Sequence, residues 1–120
     1  MDMTGFEKAG VGRGTSFPLG VIRVRRAGGR IYIPTNVFEK YDLSRFQKVD
    51  VLVDAEKRRM ALEFHEGGAR ACNRDGSRPR VTIIAKGPVR ELVTRAEKQA
   101  DLRVIDCEEV AGHLLLIAAI

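Results

Sequence analysis

The chain has 120 residues, 44% hydrophobic and 31% charged, and a formal net charge of +5. That length suits one domain or two half-domains sharing a core, and the composition excludes wholesale disorder. No apolar run approaches the roughly 20 residues of a membrane helix. The polar start is unlike a secretory leader, so Cys72 and Cys107 read as free thiols of a cytoplasmic protein.

Residues 1–19 carry Gly5, Gly10, Gly12, Gly14 and Pro18 without periodicity and read as a flexible arm. Val21, Ile22 and Val24 predict a short strand, and Ala27-Gly28-Gly29 a turn. Ile31 and Ile33 alternate in a second strand, which Pro34 stops because it has no N–H to donate. Thr35 or Asn36 caps a short helix carrying Val37, Phe38 and Tyr41 and ending near Asp42. Val49, Val51 and Val53 alternate in a third strand; Met60, Leu62 and Phe64 alternate in a fourth.

Residues 67–79 hold Gly67-Gly68 and Asp75-Gly76-Ser77 and read as a loop between a first unit, 20–66, and a second, 80–120. The second unit predicts a strand over 81–84, a helix over 89–100, a strand over 102–105, a turn at Glu108-Glu109 and a last strand over 113–117. A basic strand again precedes a helix and two strands. The pattern therefore reads as a degenerate β-α-β-β duplication at a spacing near 50 residues. The fold class expected is mainly β with short helices.

Charge is unevenly spread. Arg23, Arg25, Arg26 and Arg30 fall within residues 20–30 without an acid. Arg70, Arg74, Arg78, Arg80, Lys86 and Arg90 fall within 70–90 against Asp75 alone. Residues 91–120 are net acidic. Arginine dominates both clusters, and its planar fork suits phosphate.

The stretch Gly29-Arg30-Ile31-x-Ile33-Pro34, followed by Leu43, Val49-x-Val51-x-Val53-Asp54 and Leu62, resembles the AbrB-type swapped-hairpin module, shared by MazE-like antitoxins and MraZ-like regulators. The resemblance covers residues 21–64. It implies a β-barrel built from two copies of the module with exchanged hairpins, and duplex DNA binding through arginines of the first hairpin. Carried over by position, Arg30 matches the motif arginine; Arg23, Arg25 and Arg26 match as basic residues of the same hairpin. The second half lacks the motif, so the barrel closes either within one chain or between two.

The candidate DNA-binding residues are thus Arg23, Arg25, Arg26 and Arg30, with Arg74, Arg78, Arg80 and Lys86 extending the footprint. A homodimer is expected, because two basic hairpins span neighbouring groove segments better than one. The alternative is an antitoxin-like or scaffold module whose arginines bind an acidic protein partner. No nucleophile elbow, phosphate loop or metal-ligand spacing is present: His65 and His113 lie 48 positions apart, and no cofactor, metal or enzymatic activity is expected.

Overall fold

A computed structural model describes residues 20–75 and 78–120, so the expected N-terminal arm lies outside the described residues. Among the described residues the protein is mainly β with two short helices, and nine strands form one nearly closed, antiparallel, barrel-like sheet. In chain order the elements are β1 (Val21–Arg25), β2 (Arg30–Ile33), α1 (Thr35–Lys40), β3 (Lys48–Asp54), β4 (Arg59–Phe64), β5 (Arg70–Ala71), β6 (Asn73–Asp75), β7 (Arg78–Ile84), α2 (Lys86–Leu92), β8 (Gln99–Val110) and β9 (His113–Ala119). Their order across the sheet is β5-β3-β4-β9-β8-β1-β2-β7-β6.

Strand alternation decides which side chains fill the barrel. Ile22, Val24, Ile31, Ile33, Ile83 and Leu102 point inward from one side, and Met60, Leu62, Phe64, Leu114 and Leu116 from the other. Each such side chain contributes about 1.5–3 kcal/mol on burial. No polar or charged residue is buried among the described residues.

The strand pairing has an internal two-fold pattern. β2 pairs with β7, and β4 pairs with β9. β1 pairs with β2 and with β8. Residues 70–75, interrupted at Cys72, answer β1: β6 pairs with β7, and β5 pairs with β3. Exchanging β1, β2, β3 and β4 for 70–75, β7, β8 and β9 leaves every neighbour relation unchanged. The strands of both halves thus interleave within a single chain. At the seam, the Arg70 guanidinium on β5 donates to the Ile84 carbonyl of β7 at 3.1 Å.

Three expectations are revised. Short strands occupy 70–71 and 73–75, where a loop was expected, because their backbones complete the ladders of β3 and β7. The helix expected over 89–100 ends at Leu92, and a turn and then β8 follow. Val93 leaves the helix in an extended conformation, φ −111° and ψ 121°, and Thr94-x-x-Glu97 opens a separate turn: the Thr94 N–H donates to Glu97 Oε1 at 3.0 Å, and the Glu97 N–H donates back to Thr94 Oγ1 at 3.1 Å. This reciprocal pairing resembles a capping box and satisfies the backbone without further helix. Finally, β8 runs through Glu108-Glu109 to Val110, because β9 pairs with it to His113; the reversal is at Ala111-Gly112.

Candidate nucleic-acid interface

The β1–β2 turn is the centre of the basic region. Gly28 and Gly29 both have positive φ, 75° and 61°, which folds the turn back beneath α2. The Ala85 N–H donates to the Gly29 carbonyl at 2.7 Å, so the chain entering α2 is tied to the turn. A Cβ on Gly29 would stand 2.4 Å from Lys86 Cα, so only glycine allows this approach. Lys86, taken from the second sequence cluster, is thereby brought beside the first.

On the other side, the Arg26 N–H donates to the Lys98 carbonyl at 2.8 Å. The Arg26 guanidinium donates to the carbonyls of Arg90 and Val93, at 3.1 and 2.6 Å. These are carbonyls at the end of α2 that have no helical partner, and a cation there also complements the helix dipole. Arg26 therefore holds α2 against the hairpin.

Between these elements lies an open cleft of about 750 Å³ lined by Arg25, Arg26, Arg90, Arg95, Glu97 and Lys98, with Ala27, Gly28 and Gln99 completing its wall. The single acid among the described lining residues, Glu97, is engaged from behind: Arg58 Nη2 lies 2.6 Å from both its oxygens, and this contact is the main cause holding its carboxyl below the usual range. Arg25 and Arg30 stand directly opposite across β1 and β2 and are exposed. Directly opposed like charges cost stability, and neither arginine makes an ion pair among the described residues. Arg30 lies over Gly28, with Nε 3.1 Å from where a Cβ there would sit.

The other sequence candidates lie differently. Arg23 is clamped by Asp101, with Nε 2.8 Å from Oδ1 and Nη2 3.2 Å from Oδ2. Arg74 lies over the Phe38 ring at 4.9 Å and donates to the Ser44 carbonyl at 3.0 Å, so it braces the α1 region. Arg80 is half-buried on β7 and is not free. Arg78 opens β7, with its side chain outside the described residues. The cleft thus unites Arg25 and Arg26, flanked by Arg30 and Lys86, with Arg90, Arg95 and Lys98, which the sequence argument had not placed in the site.

Hydrogen bonding to Arg23 is the main cause lowering the Asp101 pKa, as Arg58 does for Glu97. A lowered folded pKa gives stability that is present above the unfolded carboxylate range, near about pH 4, and lost as pH falls through the folded value. Both pairs are solvent-accessible, so the effect is small. The urea midpoint is expected to drop between about pH 5 and 2, and to drop less in Arg23→Ala; an identical pH profile in that variant would contradict the assignment.

Comparison with protein-family models, with curated proteins and with solved structures finds no match.

Proposed function

We propose that this protein binds duplex DNA, as a regulator of transcription, through the cleft between the β1–β2 turn and the segment from α2 to β8. The observation that carries this reading is the convergence of Arg25, Arg26, Arg90, Arg95 and Lys98 on one open cleft whose only acid among the described residues is already bound by Arg58. Guanidinium groups there offer bidentate donors to phosphate oxygens or to guanine edges. Gly28, exposed in the turn and on the cleft wall, lets a backbone phosphate come close. Among the described residues no aromatic ring lines the cleft, which disfavours single-strand binding by base stacking. The resemblance of residues 21–64 to the swapped-hairpin module points to the same hairpin, with Arg30 as its motif arginine.

Binding to a fluorescently labelled duplex, followed by anisotropy, tests this. Contact with about four phosphates gives a log–log salt slope near about −4, a loss of about 10²-fold in affinity between about 50 and 200 mM salt. Absence of binding at the lower salt, or binding indifferent to salt, would reject the proposal.

A further inference from the structure

Away from the basic cleft, β4 and β9 bring together the only two histidines of the chain. Phe64 pairs with Leu114, so the next step beyond that pair sets His65 beside His113. Their rings stack with centroids 4.6 Å apart and planes 12° from parallel. Glu63 lies two residues before His65 and shares its face of the sheet. One ring nitrogen from each histidine and a carboxylate oxygen of Glu63 all lie within 4.8 Å of one another. Asp50 stands opposite Glu63 across β3 and β4. Its Oδ2 is 2.7 Å from His65 Nε2, and its Oδ1 accepts the Ala69 N–H at 2.8 Å.

We propose that Glu63, His65 and His113 bind one divalent transition-metal cation of the zinc class, with Asp50 orienting His65. Two imidazoles and one carboxylate suit zinc, nickel or copper, whereas magnesium and calcium take oxygen shells. The Asp50–His65 contact is the carboxylate–histidine arrangement that fixes a ligating ring and leaves its other nitrogen with a lone pair. Glu63 Oε2 already lies 2.8 Å from His113 Nδ1, a hydrogen-bond spacing that puts the carboxylate and the second ring face to face where a cation would replace the shared proton. Arg70 also acts on Asp50, from the side of β5. Tetrahedral zinc, with bonds of about 2.0–2.1 Å, holds its ligand atoms about 3.3 Å apart. Binding would require side-chain rotation that brings the ligand atoms, now within 4.8 Å of one another, to that spacing. His65 is largely covered, with 17% of its side chain exposed, while His113 is 49% exposed. His65 is therefore held by Asp50, and His113, 2.8 Å from Glu63 Oε2, sits at the exposed rim with the solvent side left for water.

The test is Zn²⁺ titration by calorimetry on the full chain carrying Cys72→Ser and Cys107→Ser, which removes both thiols as rival ligands. One equivalent is expected to bind. Affinity is expected to fall at least about tenfold in His113→Ala and in Glu63→Gln, and Mg²⁺ is expected to give no heat. Because His113 and Glu63 sit on the outer face, circular dichroism of both variants is expected to match the parent. No uptake of Zn²⁺, or uptake unchanged in both variants, would overturn the proposal.

Discussion

Replacing Arg90 and Arg95 together by glutamate is expected to weaken duplex DNA binding by about 10²–10³-fold, at about 1–3 kcal/mol for each arginine. The salt slope is expected to flatten by about two, since two phosphate contacts are lost. Both side chains are exposed and line the cleft, and neither packs in the core. Surface changes of this kind usually alter stability by no more than about 0.5 kcal/mol, so the loss belongs to binding. Arg74→Ala is the informative contrast. Its guanidinium braces Phe38 and Ser44, so the substitution lowers stability and leaves the salt slope where it was. Salt-dependent anisotropy with urea unfolding on the same samples separates the two effects. A flatter slope in Arg74→Ala and none in the double variant would move the interface to the other half of the barrel.

Gly29→Ala is expected to destabilise the fold by about 3 kcal/mol or more. The left-handed φ of 61° costs a side-chain-bearing residue about 1–2 kcal/mol. The added methyl also meets the Lys86 backbone at 2.4 Å, and relieving such overpacking costs about 1–3 kcal/mol more. Gly28→Ala shares the positive φ, but its Cβ meets only the Arg30 side chain, which can swing away. It is therefore expected to cost about 1–2 kcal/mol. Urea midpoints of the two variants measure the difference. Equal midpoints would mean that the turn and α2 are not held together through Gly29. The same variant links folding to function: moving Lys86 and α2 off the turn opens the cleft, so the Gly29→Ala chain that remains folded is expected to bind DNA less tightly.

Much of the first half is legible in the sequence because its signals are local. The alternation at 49–53 and 60–64, Pro34 after β2 and the double glycine at 28–29 each act within a few residues. The second half is harder to read because its local signals compete. Val89, Leu92, Val93 and Ala96 keep a helical period, yet Val93 leaves the helix in an extended conformation and the Thr94–Glu97 side-chain exchange turns Arg95 and Lys98 into the cleft. The Thr-x-x-Glu spacing was the available signal. Residues 70–75 show no strand pattern of their own, and their extended backbone comes from pairing with β3 and β7.

The candidate site was half legible for a related reason. Clustering along the chain identifies cations but not their partners. Asp101 is 78 residues from Arg23, and it reaches it only because β8 pairs with β1. Glu97 meets Arg58 from 39 residues away. His65 and His113 likewise meet only through the β4–β9 ladder. Sheet register thus sorts the arginines into those held by acids, those bracing helices and those left facing solvent.

The most direct test of the basic cleft is residue-resolved amide shift mapping during titration with a short duplex at low salt. The largest changes are expected at Arg25 to Arg30, at Lys86 to Arg90 and at Arg95 to Lys98. Changes centred instead on Ser44, Arg74 and Arg80, or no changes at saturating DNA, would contradict the account.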